Sequence, residues 1–262
     1  MQPNQRHLRI AYAETFKDQR TVDAYQFRPP YPDEIFDLLV RLVTDEPRTA
    51  LDVGCGAGDI ARNLARRAIR VDAVDFSQNM IERGKQLPGG DYPGLNWIVG
   101  RVEEVSLHPP YALITAGSSF HWFDWNVVLP RLRSMLTPGG HLALVHRSVV
   151  SQPWRADLER ILAQFSTGEG HRHGWLDTLV ASQLFQKKGE QKTVPVPFVQ
   201  SIDDFIEGLH SRSRFSKALM DAQSAAELDR QVRDLLLPLY QDGMIPMQVV
   251  GRVVWGIPGE GE

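Results

Sequence analysis

The chain has 262 residues, of which 42% are hydrophobic, and this is enough to fill the core of one large domain or two small ones. The net charge of −3 excludes an overall basic field of the kind that attracts phosphate backbones, so nucleic acid is not an expected partner. The single cysteine excludes an internal disulfide, and no apolar run reaches the roughly 18 residues of a membrane span. We therefore expect a soluble, cytoplasmic protein without a membrane partner.

The first half of the chain alternates predicted helices and strands. Apolar residues recur at helical spacing from Asp33, and a short apolar strand, residues 49–53, follows the loop around Pro47. Further helices are predicted at 60–68, 78–86 and 124–136, and further strands at 71–74, 96–99, 111–115 and 141–146. Strands that alternate with helices predict a parallel sheet covered on both faces.

After residue 147 the pattern changes. Helices are predicted at 154–165 and 175–185, an extended stretch at 193–199, helices again at 201–237, and a last strand at 248–255. Ser201 and Asp204 have the spacing of an N-terminal capping pair, which predicts that a helix begins there. The stretch of about residues 201–240 is longer than an ordinary connection between two strands. We therefore interpret it as a helical insertion that forms a lid over the ligand crevice.

The most informative segment follows the first strand and has the sequence LDVGCGAGD, residues 51–59. Its glycines, Gly54, Gly56 and Gly58, allow a tight turn and a close approach of the backbone to a ligand. A dinucleotide site also has glycines here, but its third glycine comes three residues after the second, where this chain has Asp59. The negative charge of Asp52 suits instead a ligand that bears an ammonium and a sulfonium.

Two acidic residues follow the next two strands. Asp75 ends the second strand, where a carboxylate can accept hydrogen bonds from both hydroxyls of a ribose. Glu103 follows the third strand, where it is placed to meet an adenine edge, and the alternative for this residue is a solvated loop carboxylate. Both a nucleoside cofactor and a dinucleotide are compatible with Asp75 alone.

These segments resemble the class I, seven-stranded methyltransferases that use S-adenosylmethionine (SAM), in particular the small-molecule group called type 11. Residues 51–58 look like the glycine-rich first motif, 74–77 like the acidic ribose motif, 100–103 like the adenine-side loop and 136–140 like the turn before strand five. The resemblance implies a doubly wound α/β fold with seven mainly parallel strands in the order 3-2-1-4-5-7-6, strand seven antiparallel, and a helical lid. On that template residues 193–199 are strand six and residues 248–255 are strand seven.

Two segments resemble a narrower branch, the enzymes that act on small carboxylic acids such as trans-aconitate. Residues 25–32, YQFRPPYP, resemble the segment that closes over the cofactor, and residues 119–124, SFHWFD, resemble a loop after strand four. Enzymes that methylate nucleobase nitrogens tend to have an Asn/Asp-Pro-Pro-aromatic loop where this chain has Gly117 to Phe120. This difference disfavours DNA and RNA as substrates.

The resemblance implies SAM as cofactor and S-adenosylhomocysteine as product. Residues 1–46 are expected to be an N-terminal helical segment that closes over the cofactor, 47–147 the SAM-binding core, and 148–262 a C-terminal part with the lid and the last two strands. The expected cofactor-binding residues are Tyr25, Arg28, Asp52, Gly54, Cys55, Gly56, Gly58, Asp75, Phe76, Met80, Val102, Glu103, Gly117, Ser118 and Trp122. Cys55 is expected there as a small residue between two glycines.

Methyl transfer from a sulfonium is an in-line displacement, so the protein must mainly align the reactants and exclude water. A carboxylate acceptor is already ionised, whereas a hydroxyl, a phenol or a carbon acid benefits from a base. His121, after strand four, is the candidate catalytic base, and the alternative is a structural histidine that caps the next helix. The ring of Trp122 is a candidate contact for the sulfonium, with ordinary packing as its alternative.

Acceptor binding is assigned to the residues Phe123, Arg212 and Phe215. Arg212 lies three residues after Leu209 on one predicted helical stripe, and its forked donors suit a carboxylate. His171 and His173 have no third ligand nearby in the sequence, so no metal is expected.

The predicted function is SAM-dependent methylation of oxygen or carbon on a small molecule such as a carboxylic acid or a phenol. Two alternatives are a methyltransferase that acts on protein or RNA, and a non-catalytic nucleotide-binding protein or dehydrogenase-like enzyme. The first alternative would normally bring a basic surface or an appended domain, and neither is evident in the sequence. We expect a monomer or a homodimer.

Overall fold

The computed structural model describes residues 11–166 and 174–259, and it divides into two compact units that alternate along the chain. Unit 1 comprises Met1–Pro30, Ser148–His171 and Pro195–Val249, and unit 2 comprises Tyr31–Arg147, Arg172–Val194 and Val250–Glu262. The predicted domains, residues 1–46, 47–147 and 148–262, are continuous segments of the chain, and this division stays a prediction.

Helices and strands alternate through the first half of the chain. The helices are α1 (Gln19–Tyr25), α2 (Asp33–Arg41), α3 (Asp59–Arg66), α4 (Gln78–Gln86), α5 (Trp125–Met135), α6 (Arg155–Phe165), α7 (Trp175–Ala181), α8 (Ile202–His210) and α9 (Ala222–Leu236). The strands are β1 (Thr49–Val53), β2 (Arg70–Asp75), β3 (Leu95–Val99), β4 (Tyr111–Gly117), β5 (Leu136–Val149), β6 (Phe185–Lys192), β7 (Val196–Ser201) and β8 (Met244–Pro258). Short 3₁₀ turns lie at Thr15–Lys17, Phe120–Trp122 and Ser213–Phe215.

The strands form a sheet in the order β3-β2-β1-β4-β5-β8-β6, and β7 pairs with β8. Strands β1 to β5 are parallel to one another, whereas β6 and β7 both run antiparallel to β8. This confirms the predicted doubly wound α/β fold. The carboxyl ends of β1, β2, β4 and β5 lie at one edge of this sheet, which is where ligands of such folds bind.

The predicted strand six is right only in part, because residues 196–199 lie in β7, which pairs with the last strand, but the edge strand is another one. Residues 193–199 were expected to form it, and residues 175–185 were expected to be helical, but α7 ends at Ala181 and the edge strand is β6. Gln183 adopts a left-handed φ of 60°, which stops the helix, and Phe185 then enters the core. β6 itself is rich in lysine and glutamine because it is an edge strand, so it lacks the apolar alternation that predicts a strand.

Strand β7 is an additional strand that the prediction did not separate from strand six. Its residues pair with the first part of β8, from Val196 opposite Val249 to Ser201 opposite Met244. The predicted turn at residues 138–140 lies within β5, where the pairing with β4 shifts from Tyr111↔Leu136 to Leu113↔His141. The turn residues therefore form an irregularity in a continuing strand.

Unit 2 has a hydrophobic core on each face of its sheet. Ala50 packs with α2 and α3 residues such as Leu39 and Leu64, whereas the neighbouring Leu51 packs with α5 residues such as Leu129. Successive residues of one strand are thus buried on opposite faces, as in a sheet covered by helices on both sides. Unit 1 has a separate core, built mainly from α6, α8 and α9.

Two predicted absences concern metals and membranes. Within the part of the chain that the structure describes, no group of three or more His, Cys, Asp or Glu side chains is arranged to hold a metal ion. The predicted glycine-flanked loop with His171, Arg172 and His173 lies outside the described residues. Across residues 11–166 and 174–259, none of the helices combines the length and the apolar character needed to cross a bilayer.

Candidate functional site

The turn between β1 and α3 has the backbone conformation that its glycines predict. Gly54, Gly56 and Gly58 have φ values of 63°, 54° and 76°, in the left-handed region where an L-residue is strained. Gly58 is the N-cap of α3, so the chain turns directly from the sheet edge into the helix. Gly54 is half-buried, Gly56 and Gly58 are buried, and cofactor binding by these glycines stays a prediction.

Two of these glycines also allow close packing within the protein. A Cβ on Gly54 would lie 2.7 Å from Ser119 Cβ and 3.2 Å from Phe123 Cζ, and a Cβ on Gly58 would overlap the indole of Trp97. The Ser119 hydroxyl donates to the Val53 carbonyl over 2.8 Å, which fixes the loop after β4 against the turn. The glycine pattern therefore has an internal packing role besides the predicted one toward a ligand.

Asp75, at the end of β2, is buried and bonded to two backbone segments. Its Oδ2 accepts from the Gly56 N–H and its Oδ1 accepts from the Ser77 N–H, both over 2.8 Å. Desolvation raises the pKa of this carboxyl to about 6, although both backbone hydrogen bonds act in the opposite direction. Each carboxylate oxygen has a further lone pair, so the group can still accept hydrogen bonds from a diol.

Asp52 is the more deeply buried of the two acidic residues, with 1% of its surface exposed. Its Oδ1 accepts from the Thr115 hydroxyl over 2.8 Å, and its Oδ2 accepts from the Ala61 N–H over 3.2 Å. Desolvation raises its pKa to about 7. The carboxylate thus connects β1 to β4 and α3 from behind the turn, and a direct contact with a cofactor ammonium stays a prediction.

The other expected cofactor residues of unit 2 differ in burial. Met80 and Val102 lie in the core at 1% and 2% exposure. Phe76 is half-buried with the Arg101 guanidinium 5.9 Å from its ring centroid, and Glu103 is half-buried. Burial raises the pKa of the Cys55 thiol well above its ordinary value, so the thiol is protonated, as suits a small packing residue.

The loop after β4 carries the candidate base. Gly117 ends the strand, Ser118 adopts a left-handed φ of 55°, and the half-buried His121 lies in a 3₁₀ turn with its ring centroid 4.7 Å from that of Trp122. The alternative role of His121 as a helix cap is wrong, because the N-cap of α5 is Asp124, whose carboxylate accepts from the Asn126 N–H. Catalysis by His121 stays a prediction.

The sequence analysis did not single out His146, a second histidine at the same sheet edge. It lies near the end of β5, with Nδ1 3.4 Å from the Ser118 hydroxyl. Desolvation, followed by the charges of Arg252 and Arg147, lowers its pKa, so the ring is neutral at pH 7. Residues at the carboxyl ends of adjacent parallel strands meet, and this rule could have identified His146 from the sequence.

In unit 1, Arg28 is held by the segment that follows α8. Its Nε donates to the Ser211 hydroxyl over 2.8 Å and its Nη2 donates to the Ser211 carbonyl over 2.6 Å. The guanidinium carbon lies 4.1 Å from the ring centroid of Tyr25. Cofactor binding by Tyr25 and Arg28 stays a prediction.

The predicted helical placement of Arg212 is wrong. α8 ends at His210, and Arg212 has an extended backbone before the turn Ser213–Phe215. The buried His210 explains the break, because its ring nitrogens lie 2.7 Å from the Phe215 carbonyl oxygen and 2.7 Å from Asp229 Oδ1. Phe215 is consequently drawn into the core of unit 1, and its contact with an acceptor stays a prediction.

Arg212 is exposed as a whole residue, but protein atoms surround its guanidinium, which lies among positive charges. Desolvation by the surrounding protein, followed by the charges of Arg28, Arg155 and Arg214, lowers its pKa to about 10. Its side chain forms no ion pair with any carboxylate of the residues described, 11–166 and 174–259. A guanidinium in this setting favours an anionic ligand.

A family model described as a methyltransferase domain matches residues 50–140. The malonyl-(acyl-carrier protein) O-methyltransferase of Halalkalibacterium halodurans is 33% identical over 42% of this chain and 42% of that protein. A trans-aconitate 2-methyltransferase of Rhodopseudomonas palustris is 31% identical over 55% of this chain and 56% of that protein. The matched part of this chain thus spans about half or less of the length of these curated relatives.

Solved structures share the fold. A protein described as a type II methyltransferase from Anaeromyxobacter dehalogenans matches with a TM-score of 0.65 at 22% identity, over 89% of this chain and 98% of that one. A phosphoethanolamine N-methyltransferase of Haemonchus contortus, solved with S-adenosylhomocysteine, matches with a TM-score of 0.52 at 15% identity, over 95% of this chain and 59% of that one. At such identities the likeness shows the fold alone.

Proposed function

We propose that this chain, which carries a class I, SAM-dependent methyltransferase domain in residues 50–140, transfers the methyl group of SAM to a carboxylate-bearing small molecule. The observation that carries the proposal is the pairing of the left-handed glycine turn with the buried Asp75 carboxylate. A glycine turn beside a carboxylate that retains lone pairs provides a close backbone approach and an acceptor for the ribose hydroxyls of a methionine-substituted nucleoside.

The residues at the start of α3 favour SAM over a dinucleotide. Dinucleotide folds hold a pyrophosphate at this helix N-terminus, where backbone N–H groups attract negative charge. Here Asp59, the first residue of α3, stands where the dinucleotide pattern has its third glycine, so the spacing of that pattern is not met. The bound cofactor supplies an electrophilic methyl group on a sulfonium, and the residues of the chain must hold it, align the acceptor and exclude water.

The acceptor is inferred from charge. Arg212 has no anionic partner among the described residues and lies among further arginines, so a carboxylate would relieve their mutual repulsion. Aconitate, the acceptor named for one group of relatives, is an organic acid, and malonyl, named for the other, is the acyl group of a dicarboxylic acid. A small anionic acceptor therefore agrees with both the charge of Arg212 and the kinds of relative found. The lid role of residues of about 201–240, the absence of nucleic acid partners and the monomeric or dimeric state remain part of this proposal.

The test is a methyl-transfer assay with SAM over a panel of carboxylic acids and neutral phenols, carried out on the wild type and two variants. Arg212→Met should lower kcat/KM on carboxylic acids by about tenfold or more, because a charge-assisted hydrogen bond is lost, and should change phenol methylation little. Arg214→Met is the matched control and should affect both acceptor classes little.

Three outcomes would contradict the proposal. If no carboxylic acid is methylated, the proposed class of acceptor is wrong. Equal losses on acids and phenols, or no loss from Arg212→Met, would show that Arg212 does not select for negative charge.

His121→Asn should reduce turnover on a carboxylic acid by less than about tenfold, because an ionised carboxylate needs no base. On a phenol the same variant should reduce turnover by about 10²-fold if His121 acts as the base. The same measurement on His146→Asn shows whether the neutral histidine near the end of β5 acts as the base instead. A large loss on carboxylic acids in either variant, with SAM affinity unchanged, would contradict a base-free transfer.

A further inference from the structure

His210, the buried last residue of α8, lies between two oxygens that can only accept hydrogen bonds. Its Nδ1 is 2.7 Å from the carbonyl oxygen of Phe215, and its Nε2 is 2.7 Å from Oδ1 of Asp229 on α9. A ring nitrogen bonds to such an oxygen only as an N–H donor, so both hydrogen bonds form together only when both nitrogens carry a proton. The negative charge of Asp229 stabilises the ring in that form and thereby supports the hydrogen bond to Phe215.

A short segment, residues 211–216, follows α8 and is fixed at both ends. The Ser211 hydroxyl donates to a carbonyl of α8 over 2.6 Å, and the Ser216 hydroxyl lies 2.7 Å from the Thr21 hydroxyl of α1. Both serines are fully buried. Arg212 is the one exposed residue of the segment, so it is held between two buried anchors.

The backbone of Arg212 is connected to His210 through Phe215. The Arg212 N–H donates to the Leu209 carbonyl over 3.0 Å, and the Arg212 carbonyl accepts from the Phe215 N–H over 2.9 Å. Because His210 holds the carbonyl of the same Phe215, a movement of Phe215 would also move Arg212. A chain of hydrogen bonds therefore leads from Asp229 to the backbone that carries the Arg212 guanidinium.

We propose that His210, oriented by Asp229, is a positioning residue that holds Arg212 where it binds the carboxylate of an acceptor. The inference rests on the proposed function, because it needs Arg212 to bind that carboxylate. A backbone that is fixed before binding loses little freedom when the acceptor binds. The hydrogen bonds of His210 therefore increase the affinity for an anionic acceptor.

The alternative is that His210 and Asp229 only hold α8 and α9 together. The two helices are already joined near the start of α8, where Arg233 Nη2 donates to Asp203 Oδ1 over 2.6 Å. An apolar side chain in place of His210 would fill the core between them without the cost of burying a polar ring. The polar pair is therefore explained better by the segment that it holds.

The test compares Asp229→Asn with Asp203→Asn, since each removes one carboxylate that joins α8 to α9. Asn keeps the shape of Asp and an acceptor oxygen but not the charge. Asp229→Asn should raise the KM for a carboxylic acid about fivefold or more, with kcat, the KM for SAM and the KM for a phenol changed by less than about twofold. The exposed Asp203 is the matched control, and Asp203→Asn should change all four constants by less than about twofold. Asp229→Glu keeps the charge and should raise the KM less than Asp229→Asn.

Trypsin measures how firmly the segment is held, without any acceptor or cofactor. It cleaves after arginine, and the bonds that follow Arg212 and Arg214 lie within residues 211–216. A protease needs a locally unfolded backbone, so cleavage at these two bonds should be about threefold faster or more in Asp229→Asn than in the wild type. In Asp203→Asn the rate should stay that of the wild type, and mass spectrometry of the fragments gives both rates.

Equal changes in Asp229→Asn and Asp203→Asn, or a loss in Asp229→Asn that extends to phenols and SAM, would reduce His210 to a structural residue and overturn the proposal. Faster cleavage after Arg212 without a change in the KM for carboxylic acids would also overturn it. If the wild type methylates no carboxylic acid, or if Arg212→Met loses nothing on acids, the proposed function fails and the inference fails with it. In that case the trypsin rates still show by themselves whether Asp229 fixes the segment.

Discussion

Asp75→Ala should bind SAM at least tenfold more weakly than the wild type while remaining folded. The variant removes the acceptor of the ribose hydrogen bonds, and hydrogen bonds to a charged group contribute about 1.5–3 kcal/mol each. It also leaves the Gly56 and Ser77 N–H groups without their acceptor, so the glycine turn loses its connection to β2. Titration calorimetry with SAM, after circular dichroism has established folding, measures the effect.

The pH dependence of SAM binding gives a second measurement at the same carboxylate. Its pKa of about 6 in the free protein is raised above the ordinary value by burial, and hydroxyl donors from a ribose favour the ionised form. Affinity should therefore be full above pH 6 and should weaken as the pH falls from 6 toward 4, by at most about tenfold per unit. The stability of the free protein should depend on pH in the opposite direction. Because the Asp75 pKa is raised in the folded state, its contribution to the free energy of unfolding becomes more favourable as the pH falls below about 6.

Asp72 provides the matched control on the same strand. It is also buried, and its oxygens accept from Asn96 Nδ2 over 3.0 Å and from the Tyr111 hydroxyl over 2.5 Å. Asp72→Asn should lower stability but leave SAM affinity within about threefold, since the hydrogen bonds that it weakens are internal to the protein. An Asp75→Ala variant with wild-type SAM affinity, or equal losses in both variants, would refute the ribose assignment.

Local chemistry made the first half of the fold predictable. The strand Thr49–Val53 and the helix Gln78–Gln86 have the boundaries that the apolar pattern indicates. The strand is a short, fully buried apolar run, the helix buries one face, and turn residues flank both. The Ser201 cap is also as predicted, with its hydroxyl accepting from the Asp204 N–H over 3.0 Å. These elements depend on interactions within a few residues of the chain.

The errors arose where distant residues decide the outcome. β6 is a strand because the last strand pairs with it, and no alternation within KKGEQK indicates this. Arg212 leaves the helical stripe because His210 bonds to Asp229, nineteen residues away along the chain. Edge strands and helix ends are set by tertiary partners, which a single sequence does not display.

The candidate site shows the same division. The glycine turn and Asp75 could be identified from spacing, whereas the contact of Arg28 with Ser211 joins segments that are 183 residues apart. Asp52 was identified by position in the motif, but its hydrogen bonds to Thr115 and Ala61 could not be inferred from it. The motif therefore predicted where these residues lie in the fold better than it predicted what they contact.

Gly58→Ala should be among the most destabilising single substitutions in unit 2, with a loss of about 2–5 kcal/mol in the free energy of unfolding. A left-handed φ of 76° costs an L-residue about 1–2 kcal/mol. The added methyl would also overlap the indole of Trp97, and overpacking of this kind costs about 1–3 kcal/mol. Trp97 cannot easily give way, because its Nε1 donates to the Gly90 carbonyl over 2.9 Å and its ring also fills the space beside Gly84.

Gly243 separates the two contributions. Its φ of 74° is almost that of Gly58, but no atom lies within 4 Å of the position that a Cβ would take. Gly243→Ala should therefore lose only the backbone contribution of about 1–2 kcal/mol. Urea unfolding of both variants gives the difference between their losses of stability, which measures the contact with Trp97.

In the double variant Gly58→Ala/Trp97→Leu, part of the Gly58→Ala loss should be recovered, since the smaller side chain leaves room for the methyl. Equal losses at Gly58 and Gly243 would mean that only backbone strain requires glycine at the start of α3, and that the indole moves aside without penalty.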